Sequence, residues 1–157
     1  NGALTIGTLD GANIEIMEEV GEDNIFIFGL DAAGVEKMKN SGYNPYTYYN
    51  SDPPLKRVID MIRDGFFSPD QPGLFREVAD YLLGGDPYML CADYSSYVEC
   101  QAAVSRAFTD KKKWAAMSIL NAAGMGKFSA DRTISQYARE IWGVKPVPVT
   151  IPQSGVK

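Results

Sequence analysis

The stretch NGALTIGTLDGANIEIMEEVGEDNIFIFGL, residues 1–30, decides the fold class. ALTI followed by Gly7 has the composition of a short strand. Asp10 is the expected N-cap of a helix from about Gly11 to Val20, because a carboxylate can accept the orphan N–H groups of a first turn. On that helix Ile16, Met17 and Val20 fall on one face and Glu15, Glu18 and Glu19 on the other, with Gly21 as the stop. Ile25 to Phe28 is apolar without alternation, the pattern of a strand buried on both faces in a parallel sheet. Asp31 then opens a second helix ending near KNSG. Strand, helix, strand, helix is an α/β opening.

Outward from this unit the signals become helical. YNPYTYYNSDPP has the turn formers of a loop, and Asp52 before Pro53 and Pro54 is a good helix start. Leu55, Val58, Ile59 and Ile62 then follow helical spacing. Pro72 is expected to start a helix carrying Leu74, Val78, Tyr81 and Leu82, stopped by Gly84 and Gly85. PYMLCA suggests a short third strand, followed by a helix capped by Asp93 with Tyr94, Tyr97 and Val98 on one side. Asp110 opens another, carrying Trp114, Met117 and Leu120. Ser129 caps the last, whose stripe of Ile134, Tyr137, Ala138 and Ile141 ends at Gly143. The Pro-punctuated stretch from residue 145 to 157 is an extended tail.

Composition excludes several kinds of chemistry. The chain of 157 residues is 45% hydrophobic, enough for a core, and 22% charged, which argues against wholesale disorder. A net charge of −5 argues against a nucleic-acid or anionic-membrane surface. Lys111 to Lys113 is the one basic run, expected as a solvated first helical turn. No apolar stretch approaches the roughly 20 residues of a membrane span. Cys91 and Cys100 do not make a disulfide framework, and with no secretory segment in view they fit a reducing cytoplasm. The sequence has no histidine, which excludes Ser–His and Cys–His nucleophile pairs and removes the commonest metal ligand. No metal site is expected.

The motifs leave two readings each. GTLDGAN, between a strand and a helix, could hold an anion on backbone N–H groups, but it lacks GxGxxG and GK[ST] spacing and Asp10 would repel phosphate; a structural turn is favoured. Tyr43, Tyr46, Tyr48 and Tyr49 could stack on sugar rings or simply pack. EEVGED fits a solvated face, and Arg132 is free to pair with a carboxylate. No complete active site can be assembled from these residues.

Three stretches carry a family resemblance: NGALTIGTLDGANIEI with EEVGEDNIFIFG, ADYSSYVECQ, and KFSADRTISQYAREIWGV. In this order they resemble the C-terminal end of the α-glucan (glycogen, starch and maltodextrin) phosphorylases, from Asn1 to about Val144. The resemblance implies part of the Rossmann-like C-terminal domain of a two-domain GT-B-type glycosyltransferase, helix-rich at its end. It also implies phosphorolysis of α-1,4-glucan by orthophosphate to glucose 1-phosphate, cytoplasmic, in a parent that is usually a homodimer. The family's cofactor, pyridoxal phosphate, is carried by a lysine that would lie one helical turn before Asn1. No catalytic or cofactor-binding residue of the family maps onto this chain, so in isolation it is expected to be inactive. What maps is a supporting layer behind the cofactor pocket: Asn1, Gly2, Thr8, Asp10 and Asn13, with Glu15 also matching. A stand-alone α/β anion- or nucleotide-binding module and a non-catalytic interaction domain are the alternatives.

Overall fold

The computed structural model describes residues 2–149. Strand β1 (Ile6–Gly7) leads into helix α1 (Ala12–Val20), a 3-10 turn (Glu22–Asn24) and strand β2 (Phe26–Ile27). The strands are parallel, with Ile6 opposite Phe26 and Gly7 opposite Ile27. The N–H of Phe26 donates to the Thr5 carbonyl at 3.0 Å and that of Phe28 to the Gly7 carbonyl at 3.1 Å. This is a βαβ unit, since parallel strands require a crossover. Val20 is buried, Ile16 and Met17 half-buried, and the three glutamates exposed, as the helical spacing predicts.

The sheet is smaller than the apolar run suggested. β2 spans two residues, and Phe26, Ile27 and Phe28 are half-buried, not covered on both faces. Among the described residues PYMLCA adds no strand. Its last residues belong to the long helix α6 (Leu90–Thr109), whose N-cap Met89 is left-handed at φ 58°. The reason lies three residues earlier, where the buried Asp86 accepts from the Leu90 N–H at 2.9 Å and the Cys91 N–H at 2.8 Å. A carboxylate holding two first-turn amides nucleates a helix that local β-propensity would oppose. Asp86, not Asp93, therefore starts α6.

The remaining helices are α2 (Ala32–Asn40), α3 (Pro45–Ser51), α4 (Pro53–Arg63), α5 (Arg76–Gly84), α7 (Lys111–Gly124) and α8 (Ala130–Tyr137). Asp31, Asp52, Asp110 and Ser129 cap α2, α4, α7 and α8 as expected. The tyrosine-rich stretch is not a loop. Asn44 accepts from the Tyr46 N–H, and Pro45 supplies the preset φ of a first helical turn, so α3 forms directly before α4. Pro72 does not begin α5, which starts four residues later.

One core joins α3 to α6: Tyr49, Leu55, Ile59, Ala79, Leu83 and Cys91, with Tyr48, Ile62 and Tyr94 against it. Ala79 and Leu83 are the buried pair of α5; Leu74, Val78 and Tyr81 are exposed, as are Tyr97, Val98 and Leu120. The stripe of the last helix is exposed too, with Ile134 at 54% and Ile141 at 68%. Spacing identifies an apolar face correctly but carries no information about what covers it. After α8 the chain makes one π-helical turn (Ala138–Trp142) and stops at Gly143, left-handed at φ 61°. Residues 144–149 have no regular structure, and the rest of the tail, like Asn1, lies outside the described residues.

Candidate functional site

The turn between β1 and α1 closes on itself. The Thr8 hydroxyl donates to Asp10 Oδ1 at 3.0 Å, and Asn13 Nδ2 donates to the Thr8 carbonyl at 2.9 Å. The N–H of Asn13 donates to the Asp10 carbonyl at 3.1 Å. Asp10 is thus not the N-cap of α1. That position falls to Gly11, at φ 47° and ψ −132° with no side-chain cap, a conformation open to glycine. The carboxylate is drawn back to Thr8 and the helix's first turn carries Glu15. With its polar side chains bonded within the turn and two carboxylates nearby, the turn has the chemistry of a scaffold and not of an anion cradle.

One face of α7 holds this unit. Trp114 stacks on Phe26 at 6.5 Å between ring centroids. A turn later the Ser118 hydroxyl donates to the Gly2 carbonyl at 2.6 Å. Gly2 is left-handed at φ 71°, and a Cβ there would sit 2.6 Å from the Ser118 hydroxyl oxygen. The buried Asn121 donates from Nδ2 to the Asn24 carbonyl at 2.8 Å and to that of Met117 at 3.0 Å. A Cβ on Gly124 would meet the Glu19 carbonyl oxygen at 2.9 Å, so only glycine lets α1 and α7 approach this closely. Just beyond, Lys127 pairs with Glu19 at 3.1 Å.

The far end of β2 is gripped by α6. The Gly29 N–H donates to the Ser96 hydroxyl at 2.9 Å, and the Leu30 N–H to Asp93 Oδ1 at 2.9 Å. A Cβ on Gly29, at φ 76°, would fall 2.6 Å from the Asp93 carboxyl carbon. Burial pushes the Asp93 carboxyl above the ordinary carboxylate range; the Leu30 N–H works against this and the charge of Asp86 with it. The first 30 residues, ADYSSYVECQ and the start of KFSADRTI, remote in sequence, are therefore in contact.

The tyrosines are structural. Tyr43 donates to Asp86 at 2.7 Å, and burial with that bond raises its pKa. Tyr49 donates to Asp60 at 2.6 Å beneath the Lys56 ammonium, 4.4 Å from its ring centroid. Lys56 foremost holds Asp60 below the usual carboxylate range. With these phenols committed, Tyr46 is the one exposed ring of the four. Arg132 bonds the Lys127 carbonyl and Gln136, not a carboxylate.

The residues do not fit a cofactor attachment. Every described lysine is exposed. Ion pairing with Asp60 and Glu19 raises Lys56 and Lys127, keeping them protonated when an attaching amine must be neutral. Among the described residues no group of three or more His, Cys, Asp or Glu could hold a metal ion, and no helix is long and apolar enough to cross a membrane. Of the expected supporting residues, Thr8, Asp10 and Asn13 meet in the turn, Gly2 lies on α7, and Asn1 is outside the described residues. Ser118, Asn121 and Ser96 escaped the sequence reading. The available signal was a polar residue on the same face as Trp114 and Met117.

A profile of the carbohydrate phosphorylase family matches residues 1–144. The chain is 56% identical over 151 residues to a glycogen phosphorylase of Synechocystis sp., covering 96% of this chain and 18% of that protein. It is 51% identical over 152 residues to the muscle form of glycogen phosphorylase of Ovis aries and 50% to that of Homo sapiens, in each case over 97% of this chain and 18% of the relative. The chain thus spans less than a fifth of the length of these relatives.

Proposed function

The chain belongs to the carbohydrate phosphorylase family, and we propose that it forms part of the C-terminal, Rossmann-like domain of a GT-B-type α-glucan phosphorylase. The whole protein would split the terminal α-1,4-linked glucosyl unit of glycogen or a related glucan with orthophosphate, releasing glucose 1-phosphate, as a cytoplasmic homodimer. Pyridoxal phosphate, held outside this stretch, would supply a phosphate group that assists proton transfer to the substrate phosphate. Residues 1–144 would support that pocket from behind, Asn1, Gly2, Thr8, Asp10 and Asn13 holding the segment that enters β1, with residues 145–157 a tail. The identity of 56% over nearly the whole chain carries this reading.

The contacts of Gly2, Thr8, Asp10 and Asn13 support this reading. Thr8, Asp10 and Asn13 tie the turn together through the Thr8–Asp10 and Asn13–Thr8 bonds, and Gly2 is held by Ser118 of α7, contacts that fix backbone direction. A stand-alone anion module is disfavoured because the Asp10 and Glu15 carboxylates sit at the turn it would use and repel an anion. The test is glucose 1-phosphate release from glycogen and orthophosphate by the full-length protein that contains this chain. Turnover is expected; its absence with correctly folded, cofactor-supplied protein overturns the assignment.

A further inference from the structure

We propose that Ser118 is a positioning residue, which sets the direction in which the backbone enters β1; its catalytic consequence rests on the phosphorylase reading above. A serine in a helix interior ordinarily turns its hydroxyl back to the carbonyl one turn earlier, a bond that weakens the helix slightly. Ser118 instead reaches a backbone carbonyl 116 residues away, at 2.6 Å. Its target is doubly constrained. Gly2 adopts a left-handed φ, and any side chain there would collide with the Ser118 hydroxyl. The bond sits on the same α7 face as Trp114 and Asn121, which fix Phe26 and Asn24 on the partner strand's side. Three contacts at successive turns of one rigid helix thus hold both approaches to the sheet. Of these three contacts the Ser118–Gly2 bond is the one before β1, so it is the one that acts on the segment leading into the strand. In the phosphorylase reading that segment carries the cofactor lysine, where small displacements are felt in the rate of the chemical step and not in substrate affinity.

The full-length protein is compared with its Ser118→Ala and Ser118→Thr variants by steady-state kinetics and by amide hydrogen exchange at Phe26 and Phe28. These two amides donate to Thr5 and Gly7 respectively, one nearer the Ser118 pin and one farther from it. Ser118→Ala should speed exchange at Phe26 roughly threefold to tenfold, as loss of one hydrogen bond allows, with Phe28 much less affected. It should lower kcat several-fold with KM for phosphate and glucan unchanged, and Ser118→Thr, which keeps the hydroxyl, should restore both readouts. Equal acceleration at Phe26 and Phe28, or an unchanged kcat, overturns the proposal. So does failure of the threonine variant to rescue a folded protein. A full-length protein without any phosphorolysis overturns the proposed function and the catalytic consequence together, and the exchange pattern alone then decides whether Ser118 directs the strand entry.

Discussion

Asp86 holds the start of α6, and its replacement tests that account. The residue is 1% exposed, and its carboxylate accepts three bonds, from the Tyr43 hydroxyl and from the N–H groups of Leu90 and Cys91. Asp86→Ala leaves those donors without a partner. The buried Cys91 N–H so stranded costs about 1–3 kcal/mol, the part-buried Tyr43 hydroxyl and Leu90 N–H cost less, and relief from burying the carboxylate offsets part of the sum. We expect a loss of about 2–4 kcal/mol, which lowers a urea midpoint by about 1 M. Asp86→Asn separates charge from conformation, because asparagine tolerates the positive φ of 38° found here but turns an N–H₂ toward a donor; about 1–3 kcal/mol is expected. The same variant should bring the Cys91 thiol down from its value of about 12, without restoring the ordinary one, since burial is the larger cause. Urea unfolding followed by circular dichroism, with thiol titration, gives all three quantities. An Asp86→Ala midpoint within error of the unsubstituted chain would refute the capping argument.

Ile59→Ala, at a core position 1% exposed, should cost about 2–5 kcal/mol by denaturant unfolding, whereas Ile141→Ala in this chain, at 68% exposed, should change the midpoint by less than about 0.5 kcal/mol. Asp60 and Asp93 should impose opposite pH dependences. The folded pKa of Asp60 is lowered, so its contribution is present above the unfolded carboxylate range and is lost as pH falls through the folded value; Asp60→Asn should flatten melting-temperature curves on that acid side. The folded pKa of Asp93 is raised, so its contribution is full below the unfolded value and is lost as pH rises through the folded one; Asp93→Asn, still able to accept from Leu30, should flatten that second fall. Cys91 and Cys100 are free, buried and raised in pKa by burial, so a disulfide reagent at neutral pH should label them far more slowly in the native than in the urea-unfolded protein.

The βαβ opening was legible because apolar runs, glycine stops and the Asp31 cap all act within a few residues. Where caps were misassigned, a competing donor had taken the carboxylate. Asp93 has the chemistry of a cap, but Leu30 lies 63 residues away and takes its carboxylate. Asp10 has the same chemistry and is taken by Thr8. PYMLCA has strand propensity, yet Asp86 fixes two amides of the helix that follows. The family pattern was legible, and Thr8, Asp10 and Asn13, picked from it, do meet in one turn. The α7 face against Gly2, Asn24 and Phe26 was not legible, because Ser118 and Asn121 acquire meaning only when α7 is laid against residues far earlier in the chain.

The central claim is that this stretch supports a reactive site whose cofactor-bearing lysine lies elsewhere in the protein. It is tested most directly by borohydride reduction of the full-length protein with pyridoxal phosphate, followed by peptide mapping of the labelled lysine. We expect one stoichiometric label outside this stretch, with Lys37, Lys39, Lys56, Lys111, Lys112, Lys113, Lys127, Lys145 and Lys157 unlabelled. A stoichiometric label on any of these nine would contradict the account and place the reactive amine within the chain itself.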